Sequence, residues 1–342
     1  MIKNASLGGF LGSIISFGMN FHSTSGTITD GTYIAFMCIM AGGCCCALFL
    51  LKPRNVIRED GSRAGVATKP PVIKEFAATL KVLMRWEAIA LIPFWFSANC
   101  RSLYYLSNIP EERRLIRPDF YNYQQNTVNG KLFTIRTRSF NGAMYWLAQM
   151  LASYLFGAFL DNKRMDRRSR AIWGYMLSGR IGLIVWGGGL ALQLRRAPTG
   201  EYYQLREMDL IDSGTKYAGP FLLYFAYGAF DAIWQTLCYW TLAYLADESP
   251  EQAARYVGAF KAFEATGSAV ASKINSSHTN FNVEFGLDCG FLVIGWLCAL
   301  PVAFKVKEAR PELEFVEGLE DEDHAKGVET GQSIPKDALQ TC

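Results

Sequence analysis

The sequence predicts an all-α protein of the polytopic membrane class, a bundle of about eight transmembrane helices. Three observations carry that prediction. Hydrophobic residues make up 50% of the 342 positions and charged ones only 19%. The apolar residues are gathered into long blocks rather than spread at a helical or strand period. Stretches such as 34–51 and 181–194 are apolar all round, whereas the buried helices of a soluble fold keep a polar face.

A crossing needs ~20 apolar residues. On that measure the blocks are, in order, 5–21, 33–51, 86–106, 140–160, 172–194, 217–244, 253–274 and 285–304. The first has Lys3 ahead of its apolar run but no small-x-small cleavage site close behind, so it reads as an uncleaved helix rather than a secretory signal. Gly8, Gly12 and Ser16 in the first block, and Gly267 with Ala271 in the seventh, recur at four-residue spacing and suit close helix approach. The nine cysteines do not form a framework. Cys38, Cys44, Cys45, Cys46, Cys238 and Cys298 lie inside apolar blocks, where a thiol acts as a small hydrophobe. With no Cys-x-x-Cys pair, no Cys/His set at zinc spacing and three histidines in all, neither a metal nor another cofactor is expected.

Charge placement sets the expected topology. The segment 52–85 carries eight Lys or Arg against three acids, and Pro53, Pro70 and Pro71 interrupt helix there. By the positive-inside rule it is cytoplasmic. Counting onward, the next cytoplasmic loop is 161–170, which has five basic residues. The same count puts the N-terminus and the tail 305–342 in the cytoplasm, and the tail, acidic and poor in hydrophobic residues, reads as disordered. Arg113, Arg114, Arg117, Lys131, Arg136 and Arg138 fall on the outer side, which either weakens the orientation or marks functional arginines. The net charge of +3 is uninformative by itself, and no nucleic-acid partner is expected.

Polar residues inside the apolar blocks carry the chemistry. An Asp at the centre of a membrane helix costs about 2.5–3.5 kcal/mol, so Asp231 must face protein or water. Gln235 and Tyr227, one turn to either side, extend a polar stripe suited to a proton, a cation or a polar solute. A structural acid hydrogen-bonded between helices fits the same residue. Lys261 and Glu264 stand three apart on one face and either pair with each other or leave Lys261 to pair with Asp231. The polar run 121–129, with Gln124, Asn126 and Asn129, joins Arg136 and Arg138 in the candidate transport path. The three glycines 187–189 lack the Lys-Ser/Thr of a phosphate loop. With no nucleophile-base-acid set and no nucleophile elbow, no enzymatic activity is expected. Asn275 heads a glycosylation sequon on the expected outer side, whereas Asn4 heads one on the inner side and is expected to be silent.

Several strings together resemble one family: Asn20-x-x-Ser-x-x-Gly-x-x-x-Asp-Gly-Thr-Tyr33, Phe120-Tyr-x-Tyr-Gln-x-Asn126, Arg136-Thr-Arg-Ser-Phe-Asn141, Gly219-Pro-x-x-x-Tyr224 and Phe230-Asp-Ala-x-x-Gln235 through Tyr239-Trp240. They resemble the fungal branch of the Unc-ninety-three-like proteins, of ion-channel regulatory type, within the major facilitator superfamily. The resemblance covers roughly residues 1–305. It implies two six-helix bundles joined by a long cytoplasmic loop, so that 1–51 supplies the last two helices of an N-terminal bundle. On that template 52–85 is the linker and 86–304 the C-terminal bundle, the first four helices are lacking, and 101–119 is an insertion relative to the family. The loop 161–170 is similar to the superfamily's basic latch, with Asp161, Arg164, Arg167 and Arg168 in the latch roles, although it follows the second helix of its six rather than the first.

The function implied is transmembrane transport of an unknown small solute or ion by alternating access. The alternatives are a non-transporting membrane partner or ion-channel regulator, or an inactive fragment. The partners expected are the lipid bilayer, that solute or ion, and another membrane protein.

Overall fold

The computed structural model describes residues 2–22, 30–49, 71–98, 128–196, 208–246, 249–276 and 281–307. Among them the chain forms α1 (Ile2–Asn20), α2 (Asp30–Ala47), α3 (Val72–Leu83), α4 (Trp86–Ser97), α5 (Gly130–Leu132), α6 (Ile135–Leu160), α7 (Arg167–Arg196), α8 (Thr215–Leu245), α9 (Pro250–Ser276) and α10 (Phe281–Phe304). One isolated β-bridge, between Phe133 and Met208, joins the segments that lead into α6 and α8. The protein is an all-α membrane helical protein, as the sequence predicts. Four helices, Asp30–Ala47, Ile135–Leu160, Arg167–Arg195 and Phe285–Phe304, are long and apolar enough to cross a membrane by length and composition alone, against eight expected crossings. The difference has a physical source. Helices α1, α8 and α9 reach crossing length at 19, 31 and 27 residues, but α8 and α9 carry charged groups that the fold turns inward, among them Asp231 and Glu264, both buried. Helix α4, at 12 residues, is short of a crossing.

Apolar attraction between helices is weak where the solvent is itself hydrocarbon, so close backbone approach through small residues has to hold such a bundle. Helix α1 runs antiparallel along α6. Ser6 donates to Gln149 Oε1 at 3.1 Å, Ser16 and Ser139 share a hydrogen bond of 3.1 Å, Gly9 lies against Trp146, and Gly142 lies against Ser13. The small-residue face in use is therefore Ser6, Gly9, Ser13 and Ser16, so that of the expected Gly8, Gly12 and Ser16 only Ser16 belongs to it. Gly8 meets nothing and Gly12 turns to Phe36 of α2. Helices α6 and α8 run side by side in the same direction and approach closely at Gly228, where a Cβ would sit 2.5 Å from the Tyr145 carbonyl oxygen. Antiparallel to α8, α7 brings Gly182 against Phe230 and Gly174 against Leu237, while α10 sets Trp296 over Gly179 of α7 and Gly295 against the α4 backbone. Phe94 of α4 stacks on Trp234 of α8 with ring centroids 4.3 Å apart, at the centre of the aromatic core.

The expected linker contains a helix. Helix α3 starts directly after Pro71, a tolerated place for proline, because the first turn has no partner for the missing N–H. Arg255 of α9 grips Glu75 of α3 in a bidentate pair at 2.6 and 3.0 Å, and Arg255 holds the Glu75 carboxyl below its ordinary pKa. Val72, Ile73, Phe76, Leu80 and Met84 are left exposed. The basic residues Lys74, Lys81, Arg85, Lys163, Arg164, Arg167, Arg168, Lys305 and Lys307 all belong to the end of the bundle where α4 and α7 begin and α10 finishes, Lys305 lying over the Trp86 ring at 4.3 Å.

Candidate functional site

Asp231 lies sixteen residues into α8, about 24 Å along a helix of 1.5 Å rise, where neither end of the helix lends it solvent. It is 5% exposed. Three side chains donate to it: Tyr145 and Gln149 of α6 to Oδ2 at 3.1 and 2.8 Å, and Gln235, one turn along α8, to Oδ1 at 3.2 Å. Burial of a carboxylate is tolerated when donors replace water in this way. Gln149 also accepts from Ser6, so a continuous chain of hydrogen bonds runs from α8 through α6 to α1. Tyr227, the other member of the expected stripe, is buried against Trp186 of α7.

Lys261 and Glu264 pair with each other across one turn of α9, Nζ to Oε2 at 2.5 Å, and Lys261 also lies over the Tyr239 and Phe260 rings at 5.6 and 5.0 Å. The pair is asymmetric, with the Lys261 side chain 47% exposed and that of Glu264 8% exposed. Of the two pairings open for Lys261, the one within α9 is formed.

Arg136 and Arg138 are engaged at the far end of α6. Arg136 makes a bidentate pair with Asp209, Nε to Oδ2 at 2.7 Å and Nη2 to Oδ1 at 2.6 Å, and reaches Asp212 at 3.0 Å. Thr134 and Thr137 add hydroxyl donors, and the Ile211 N–H donates to Oδ1. The Arg136 guanidinium, with Thr134 and the Ile211 amide, holds the Asp209 carboxyl far below the usual carboxylate range against the opposing effect of burial. The loop then turns into α8 through Gly214 at φ +52°, a conformation that disfavours any residue with a Cβ. Arg138 donates to the Phe133 carbonyl, and Asn129 donates to the Arg138 carbonyl while accepting from Asn141, whose own Oδ1 accepts from Tyr217. Asn129, Arg136 and Arg138 thus form the clasp that joins α6 to α8 at that end, apart from Asp231.

The loop 161–166 is a tight turn. Asp161 closes α6, Arg164 N–H donates to Asn162, Arg167 lies 5.2 Å from the Tyr244 ring centroid, and Arg170 donates to the Leu160 carbonyl. Arg168 is exposed beside them. Asn275 falls in the last turn of α9, and Gln124 and Asn126 lie outside the described residues. Sequence reasoning missed Tyr145 and Gln149 on Asp231, Asp209 on Arg136, the buried Asp288 of α10 and the exposed Arg180 of α7. Gln149, Asp288 and Arg180 had a signal, each being a polar residue inside an apolar block.

No family model matches the chain, and no solved structure does. Among curated proteins it is 34% identical over 308 residues to UNC93-like protein 1 of Arabidopsis thaliana, covering 88% of this chain and 61% of that protein. It is 31% identical over 325 residues to an UNC93-like protein of Schizosaccharomyces pombe, covering 93% of this chain and 58% of that protein. An uncharacterized membrane protein of the same yeast is 26% identical over 284 residues, 81% of this chain and 52% of the relative. The chain therefore spans about three-fifths of the length of its first two relatives. On this similarity, which runs through most of its length, the chain belongs to the UNC93-like family of membrane proteins.

Proposed function

We propose that the chain is part of a secondary transporter of the major facilitator type, with Asp231 on the path of a proton, cation or other polar solute. One observation supports this reading above the others: a buried carboxylate in mid-helix is tied through Gln149 to Ser6 on α1. On the two-bundle template α1 belongs to one bundle and α6 and α8 to the other, so this chain of bonds crosses the seam that alternating access must open. Charge-assisted hydrogen bonds are about twice as strong as neutral ones. Neutralising Asp231, by a proton or a bound cation, weakens the hold of Gln149 and loosens α1 from α6. The end of the bundle that carries 161–170 faces the cytoplasm in this reading, and Arg167 on Tyr244 steadies it.

A second reading has its own support. With three donors, Asp231 is satisfied in the way a purely structural acid requires, which suits a non-transporting partner or ion-channel regulator. Uptake and membrane potential in cells expressing the protein separate the two. Asp231→Asn at unchanged surface level abolishes uptake in a transporter, whereas unaltered uptake and potential favour the partner.

A further inference from the structure

Helix α3 is the most amphipathic of the described helices longer than one turn, and its faces have three different surroundings. Glu75, Ala78, Thr79 and Val82, at helical spacing, make up a half-buried face, which Glu75 ties to Arg255 of α9. Ile73, Phe76, Leu80 and Met84 form a second face, apolar and exposed. On the flank between the two, Lys74 and Lys81 stand two turns apart, both exposed. Among the described residues neither has an acidic partner. Arg85 turns instead to Glu87, at 3.7 Å.

The level of α3 in the bundle matches this division. Helix α10 is long and apolar enough to cross a membrane and finishes at Phe304. The next residue, Lys305, lies over the Trp86 ring at 4.3 Å, so Trp86 stands at the level where that crossing ends. Tryptophan and lysine are usual anchors at a membrane–water boundary. Helix α3 ends three residues before Trp86, and its exposed apolar stripe runs on into Trp86 and Ile89 of α4, both also exposed. A helix with one apolar face and a basic flank at this level lies in the plane of the interface, its apolar side chains in the acyl boundary and its lysines reaching up to the headgroups. Lys163, Arg164, Arg168 and Lys307 belong to the same end and, with Lys74 and Lys81, outnumber Asp161, Asp166 and Glu251 there. The surface is therefore complementary in charge to an acidic leaflet.

We propose that α3 is an interfacial helix for anionic phospholipid, with Ile73, Phe76, Leu80 and Met84 in the acyl boundary and Lys74 and Lys81 on the acidic headgroups. This contact is separate from the Asp231 path and does not depend on transport. The test uses the whole chain, stripped of its native cysteines and carrying a nitroxide at Leu80→Cys, in nanodiscs of phosphatidylcholine with or without phosphatidylserine. Collision with oxygen and with a water-soluble nickel chelate, read by electron paramagnetic resonance, locates the label. With phosphatidylserine present, oxygen access is expected to exceed nickel access, and in phosphatidylcholine alone nickel access rises. At about 1 kcal/mol per basic residue near an acidic surface, Lys74→Gln with Lys81→Gln lowers the ratio of docked to undocked helix about thirtyfold in the mixed discs, whereas Lys74→Arg with Lys81→Arg keeps it. Both lysines are exposed, so neither substitution touches the packed face. The proposal is overturned by a label open to nickel in the mixed discs, or by one closed to both reagents, which would place protein over this face. Equal access with and without phosphatidylserine, or wild-type access in the glutamine pair, overturns it as well.

Discussion

Replacing Gly228 by alanine probes the contact on which the Asp231 site rests. The added Cβ falls 2.5 Å from the Tyr145 carbonyl oxygen and 3.1 Å from its ring. Carbon and oxygen in packed proteins approach to about 3.3–3.6 Å, so α6 and α8 must separate by roughly 1 Å, since a backbone carbonyl has no rotamer in which to step aside. Over-packing of this kind costs about 1–3 kcal/mol, offset by the roughly 0.5–1 kcal/mol that alanine gains over glycine in a helix. Against a control alanine that makes the same helix gain, the loss is the full ~1–3 kcal/mol. At roughly 2–4 °C per kcal/mol for a chain of a few hundred residues, the melting midpoint falls about 2–12 °C below that control. Scanning fluorimetry in detergent or nanodiscs reads it, with Gly187→Ala, whose Cβ meets nothing within 4 Å, as the matched control. A Gly228→Ala midpoint equal to that control would refute the close-approach argument and the geometry drawn for Tyr145 and Gln149 with it.

Two further predictions follow from the charged pairs. Asp209 has its carboxyl pKa lowered by Arg136, so the pair contributes stability that is full above the unfolded carboxylate value of about 3.9 and is lost as pH falls through the folded value. Thermal midpoints across an acid series decline below that point in the wild type. Arg136→Gln removes about 1.5–3 kcal/mol at neutral pH and flattens the decline, and parallel curves would contradict this assignment. On α9, Lys261→Met leaves the buried Glu264 carboxylate without its cation and costs roughly 3 kcal/mol, whereas Lys261→Met with Glu264→Leu recovers most of the loss. Additive effects in that double-mutant cycle would mean the two side chains do not act as a pair.

The class of the protein and the sheltering of Asp231 were legible because both are local: an apolar block has to cross lipid, and a lone acid inside one has to be sheltered. The partners of Asp231 were not. Tyr145 and Gln149 lie 86 and 82 residues away, and no periodicity says which helix meets which. The same blindness hid the partner of Arg136. Arg136 and Arg138 broke the charge rule and so stood out, but the acid that engages Arg136, Asp209, is 73 residues distant. The small-residue stripe of α1 was found and then set one step off, since Gly9 and Ser13 can be told from Gly8 and Gly12 only by knowing that Trp146 and Gly142 lie opposite. Helix α3 was hidden by Pro70 and Pro71, which read as breakers although a proline just before a first turn starts a helix.

The seam between α1 and α6 is where transport and a purely structural role part most sharply. A Cβ at Gly142 would lie 3.6 Å from the Ser13 Cβ, within the ~3.5–4.5 Å that a disulfide spans. Ser13→Cys with Gly142→Cys, in a background stripped of the native cysteines, should therefore crosslink on oxidation. If α1 must leave α6 for the protein to cycle, solute uptake stops in the oxidised form and returns on reduction. Uptake that continues unchanged through a fully crosslinked seam would contradict the coupling of Asp231 to α1.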